Sequence, residues 1–142
     1  MSERGRTQRK DFNDRREWIL DDYEVNYIHL DYRFGFDVYG YGCCLIIIGV
    51  PFVLACGGVE TIHMPDDLDS IAGALKVLHK KALRIAVHRS GTLVVDFDGD
   101  LQLRVDKHQE HEAWEAHGEG ELFGIQFMCT PHDGPPWRED DD

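Results

Sequence analysis

The chain has 142 residues, 42% hydrophobic and 11% aromatic, with a formal net charge of -12. That length buries roughly two-thirds of the unfolded surface in one domain, so neither disulfide nor metal staples are required. Fifteen Lys and Arg against 27 Asp and Glu make a field that repels phosphate backbones and anionic lipid, which argues against a nucleic-acid or membrane-surface partner and for a cationic protein partner.

The charge is unevenly spread. Residues 1–16 hold six basic and three acidic side chains, residues 17–132 eight and nineteen, and residues 133–142 one and five. The expected layout is a disordered or frayed arm over 1–16, a single α+β domain over 17–132 and an acidic flexible tail over 133–142. The opening MSERGRTQRKDF lacks the apolar stretch of a secretory signal, so a cytoplasmic location is expected. Cys43, Cys44, Cys56 and Cys129 form no C-x-x-C pair and lie in apolar context, which reads as buried, reduced thiols.

In chain order, Arg16 to Leu20 suggests a short helical turn anchored by Trp18, Ile19 and Leu20. Tyr23 to Tyr32 mixes aromatic and β-branched residues and predicts a strand with Ile28, Leu30 and Tyr32 on one face. Residues 38–59 carry no charge and are long enough to span a bilayer as a helix. Their glycines and Pro51 break the run into strand-length pieces, so two buried strands, Cys43–Ile48 and Phe52–Ala55, are the preferred reading over a transmembrane helix. Cys56-Gly57-Gly58 then turns the chain into Val59–His63.

A helix is predicted over 66–79: Asp66 caps, Asp67 and Asp69 sit in the first turn, Leu68, Ile71, Leu75 and Leu78 share a face, and Lys80 and Lys81 close it. A three-stranded meander follows, with Leu83, Ile85 and Val87, then Leu93, Val95 and Phe97, then Leu101, Leu103 and Val105 pointing inward. Arg84, His88, Asp96, Gln102, Arg104 and Asp106 face away, and Asp98-Gly99 suits a two-residue turn. Residues 107–116 read as a helical turn or loop, and Leu122–Cys129 as a last strand facing the core through Phe123, Ile125 and Phe127. Trp137, in the tail, is either a docking anchor or exposed. The expected fold is α+β, mainly antiparallel β, with two β-meander units flanking the one amphipathic helix.

No constellation assembles an active site. His108, His111 and His117 with Glu110, Glu112 and Glu115 invite a zinc reading, but the spacing fits neither H-E-x-x-H nor H-x-x-E-H. Asp96, Asp98 and Asp100 begin like a calcium loop, yet position six is Leu101 and position twelve Lys107. Ser90, His88 and Asp96 lie on alternate strand faces, which denies them an oriented proton relay. No metal or other cofactor is therefore expected, and no catalysis. Trp114, flanked by Glu112 and Glu115, offers an aromatic anchor inside an acidic rim, against the alternative that it caps the core.

The pattern Gly91-x-Leu93-x-Val95-x-Phe97-Asp98-Gly99-x-Leu101, followed by Glu112-Ala113-Trp114-Glu115, resembles a family of small, mainly actinobacterial proteins of uncharacterised function. Its members look like immunity proteins of polymorphic toxin systems. The resemblance implies a non-enzymatic immunity-type protein that binds and neutralises a cognate, basic toxin domain, through Asp96, Asp98, Asp100, Glu112, Trp114 and Glu115. The alternative is a small-molecule or metal-binding module using the His108/His111/His117 region.

Overall fold

Alternating apolar residues make most of the chain strand, and the computed structural model, which describes residues 7–132 and 134–137, contains eleven strands. They are β1 (Gln8–Asp11), β2 (Arg15–Leu30), β3 (Phe34–Tyr39), β4 (Gly42–Ile48), β5 (Phe52–Cys56), β6 (Val59–His63), β7 (Lys81–His88), β8 (Leu93–Phe97), β9 (Leu101–Val105), β10 (Trp114–Gly120) and β11 (Gln126–Cys129). All pair antiparallel in the order β11-β10-β4-β3-β2-β7-β8-β9-β5-β6, with β1 on the first half of β2. The sheet folds over on itself. Phe34 of β3 stacks on Phe52 of β5 with ring centroids 5.2 Å apart, and Phe36 meets Phe97 of β8 at 6.1 Å, although these strands are distant in the pairing order.

The corner between the two layers is β2. Its first half pairs β7 and its second half β3, and between Ile19 and Tyr23 the register with β7 shifts while Asp22 takes a φ of 64°. Bulges bend a strand and raise its twist, which lets one strand serve two packed layers. Tyr23 and Val25, just past the bend, are wholly buried.

The meander stands where expected, as β7, β8 and β9. One inward residue differs. Two steps on β7, from Ala82 to Arg84, oppose a single step on β8, so Leu83 is the extra residue of a bulge and lies exposed while Ala82 points into the core. The β8–β9 turn has three residues rather than two, because Phe97 pairs Leu101 and both Gly99 and Asp100 adopt positive φ. The uncharged run 38–59 makes β4 and β5, and among the described residues no helix is long and apolar enough to cross a membrane.

Several expectations are corrected. The strands are not sorted into two units flanking a helix: β5 pairs β9 and β10 pairs β4, so the two halves of the chain interleave. Residues 8–11 of the expected arm form β1, because their backbone groups pair with β2 whatever their side-chain charge; residues 1–6 and 138–142 lie outside the described residues. Arg16–Leu20 is strand, with Arg16, Trp18 and Leu20 inward and Glu17 on the other face. Arg16 lies 4.4 Å from the centre of the Trp137 ring, and Glu17 accepts hydrogen bonds from Arg15 and Arg84. Cys44 and Cys129 are buried, but Cys56 is exposed and Cys43 partly so. Phe123 is exposed in the turn before β11, leaving Leu122, Ile125 and Phe127 to the core. Trp137 is buried against Phe127.

The helix shrinks to a single α-turn, α1 (Leu68–Ile71), followed by a 3₁₀ segment at Ala72–Val77. The buried residues are Ile71, Ala74 and Val77, spaced by three as a 3₁₀ helix requires, whereas Leu68, Leu75 and Leu78 of the expected face are exposed. Gly73 explains the tight approach: a Cβ there would lie 2.9 Å from the ring of His63, which is buried and bonded to the Ser70 carbonyl and the Thr61 hydroxyl. The cap is Asp67, whose Oδ1 accepts from the N–H of Asp69 at 3.0 Å and of Ser70 at 3.4 Å. Asp67→Ala should therefore cost about 1 kcal/mol in urea unfolding. Asp66→Ala should cost nothing measurable, and equal losses would reject this cap.

Candidate functional site

The alternation that sends Phe34, Phe36, Val38, Cys44, Ile46, Ile48, Trp114 and Ala116 inward sends a second set of residues outward from the β2–β3–β4–β10–β11 layer. The register lines them up in three rows. Glu24, Tyr39, Cys43 and Glu119 form one; Tyr27, Asp37, Leu45, His117 and Gln126 the next; His29, Gly35, Ile47, Glu115 and Met128 the third. Tyr32 and Tyr41 extend this face from the turns on either side of β3. The four tyrosines are 42–69% exposed.

Apolar atoms and carboxylates are mixed on it. Leu45 and Ile47 are half-buried, and Met128 is exposed beside them. Burial, then the negative charges of Glu119 and Asp37, push the Cys43 thiol above its ordinary value. A thiol held in its protonated form is a poorer nucleophile. Arg33 stacks on Tyr32 with its guanidinium carbon 5.1 Å from the ring centre, and donates to Glu115 at 3.4 Å. Its Nε is buried and has no hydrogen-bond partner among the described residues, at a narrow cleft that Glu112, Glu115, Gly49 and Ile47 help to line.

The structure disperses the residues singled out from sequence. Trp114 is 1% exposed, and its indole N–H donates to the Gly91 carbonyl at 2.8 Å, so it is a core residue and not a contact surface. Glu115 lies on the tyrosine face, and Glu112 is exposed at its margin. Asp96 belongs to the other layer, where Arg84 and Gln102 each donate to it at 2.8 Å. Asp98 accepts the Lys81 N–H, and Asp100 sits in the turn with its carbonyl taken by Gly57. Trp114 bonds to Gly91, ahead of β8, whereas Asp98 and Asp100 follow the other end of that strand and Asp96 faces outward from the meander. They do not form one surface.

Of the histidines, His108 and His111 lie side by side, with ring centroids 4.9 Å apart, while His117 is placed on β10. His108 accepts from the backbone N–H groups of Glu110 and His111 through Nδ1, while His117 sits on β10 at 2.7 Å from Glu115. Among the described residues no group of three His, Cys, Asp or Glu is placed to hold a metal ion. The tyrosine face escapes sequence reading because its members come from five strands and occupy the polar half of each pattern. Its one signal is the recurrence of tyrosine at 27, 32, 39 and 41.

A model of a family of unknown function, DUF6188, matches residues 17–134. The chain belongs to the DUF6188 family. The matched span runs from β2 through β11, and so takes in the corner strand, both layers and the tyrosine face of this DUF6188 member. No curated protein and no solved structure matches the chain.

Proposed function

We propose that this DUF6188 protein is a cytoplasmic, non-enzymatic binding protein of the immunity type, which neutralises a basic toxin domain by covering it with the tyrosine face. The observation that carries the reading is that face: exposed tyrosines over half-buried Leu45 and Ile47, ringed by Glu24, Asp37, Glu115 and Glu119. Tyrosine supplies large contact area at small entropic cost, and carboxylates around it steer a cationic partner and set its orientation. The toxin class comes from the sequence resemblance, and the basic character of the partner from charge complementarity.

The test is co-purification from cells expressing the neighbouring genes, at low and high salt. A stoichiometric basic protein released by salt is expected. Tyr39→Ala should weaken its binding by tenfold or more, a loss of about 1.4 kcal/mol or greater. Asp37→Lys with Glu119→Lys should chiefly slow association, and Asp98→Lys at the hairpin tip should leave binding unchanged. Loss of binding in Asp98→Lys, with Tyr39→Ala unaffected, would move the interface to the meander tip and sink this mapping.

A further inference from the structure

A second exposed feature lies in the other layer and shares no strand with the tyrosine face. β6 is the last strand of the pairing order, bonded to β5 alone, and Val59 to Ile62 are four consecutive exposed residues on it. Val59 and Ile62 are 66% and 68% exposed. Natural edge strands are blunted by lysine, proline, a bulge or a covering element, because an open row of N–H and carbonyl groups templates pairing with another strand. Val59–His63 holds no lysine or proline, and its register with β5 runs without a shift. The α1 and 3₁₀ segment packs on the ring of His63 and leaves the edge itself open.

Which groups are open follows from the register. Gly57 and Gly58 make a two-residue turn with positive φ, so Cys56 and Val59 form the closing hydrogen-bonded pair, with Leu54–Thr61 and Phe52–His63 the next. The N–H and carbonyl groups of Glu60, Ile62 and Met64 therefore point away from β5. Those of Met64 are taken: its N–H donates to the Ser70 hydroxyl at 2.8 Å, and its carbonyl accepts from the Asp67 N–H at 3.2 Å. Glu60 and Ile62 are left as the free edge.

A second β6 running antiparallel meets that edge in one of three ways. Glu60 opposite Glu60 sets like charges against each other. Ile62 opposite Ile62 puts Glu60 against the occupied groups of Met64. Glu60 opposite Ile62 uses every free group: about a two-fold axis at Thr61, each Glu60–Ile62 pair exchanges both its hydrogen bonds, Thr61 faces Thr61, and no like charges are opposed. Arg104, 3.6 Å from Glu60, balances the one carboxylate of the strand.

We infer that β6 pairs antiparallel with β6 of a second copy, in the Glu60–Ile62 register, making a two-fold dimer that leaves both tyrosine faces free. This goes beyond the toxin-binding reading and stands or falls separately from it.

Sedimentation equilibrium of the full chain over a range of concentrations should show a reversible monomer–dimer equilibrium. Added salt should tighten it, since two chains of net charge -12 repel, whereas toxin binding has the opposite salt dependence. Glu60→Pro removes an outward N–H and no bond to β5, and should raise the dimer dissociation constant about tenfold or more. Leu83→Ala, at the exposed bulge of β7, should leave it unchanged. In a Cys56→Ser background, Thr61→Cys should form an interchain disulfide on mild oxidation, because facing residues of a non-hydrogen-bonded pair have Cα atoms about 4.5 Å apart. Glu60→Cys, which faces Ile62, should not. Should Glu60→Pro fail to fold, these two cysteine variants decide alone. A chain that is monomeric at every concentration, a dimer indifferent to Glu60→Pro, or a disulfide formed by Glu60→Cys and not by Thr61→Cys would overturn the assignment. So would cross-linking of Thr61→Cys to a co-purified protein in place of a second copy.

Discussion

Gly118→Ala is expected to destabilise the protein by about 3 kcal/mol, at the upper end for overpacked cores. Gly118 occupies an inward position of β10, and the turn after that strand folds back beneath it. A Cβ on Gly118 would coincide with the Leu122 carbonyl oxygen, at 1.8 Å, and would also press on the Leu122 carbonyl carbon. No side-chain rotation relieves that collision, because the obstacle is backbone and Leu122 is itself fully buried. The Gly118 N–H and carbonyl are bonded to the Ile125 carbonyl and the Gln126 side chain, so moving either segment also breaks hydrogen bonds. Gly124→Ala is the matched control, since its nearest neighbour would be 3.7 Å away in ordinary contact; it should change stability by less than about 0.5 kcal/mol. Urea unfolding of both variants decides the matter, and equal midpoints would show that the turn does not pack as described.

Trp114→Ala should cost about 4 kcal/mol, a large share of the stability of a domain this size. The indole fills the core where β10, β4 and the β7–β8 turn meet, and supplies one of the two bonds to the Gly91 carbonyl. Trp114→Phe separates the two contributions: it keeps most of the volume, loses the N–H, and should cost about 1–2 kcal/mol. An interface tryptophan would behave in the opposite way, lowering affinity for the partner while leaving the unfolding midpoint alone. That outcome for Trp114→Ala would return Trp114 to the surface.

Legibility from sequence followed the strength of local alternation. β7, β8 and β9 are readable because nearly every inward position, Ala82 apart, holds Leu, Ile, Val or Phe, and β4 and β5 because glycine and proline cut an apolar run at strand length. β10 is hidden, since its inward positions after Trp114 are Ala116 and Gly118, which carry no apolar signal. The start of β2 is obscured by Arg16 and Glu17, two charges buried by partners far along the chain. The helix is misjudged because Leu75, four residues after Ile71, outweighs the small Ala74 in the pattern and favours the wider α period. Only the ring of His63 under Gly73 shows why the tighter winding wins. The tyrosine face is a product of long-range pairing, to which a local pattern is blind.

The interleaving of the two halves has a consequence for synthesis on the ribosome. β4 emerges early and is apolar, but its partner β10 is roughly seventy residues away, several seconds of elongation at about 5–20 residues per second. β5 likewise waits for β9. Until then the nascent chain presents its most water-averse segment with one edge of each strand unpaired, β4 having only β3 and β5 only β6 beside it, in a topology whose distant pairings close slowly. Chaperone dependence should therefore concentrate on the stretch from Gly42 to Cys56, and ribosome-stalled chains ending before Trp114 should remain protease-sensitive there while those extending past Cys129 and clear of the exit tunnel become resistant.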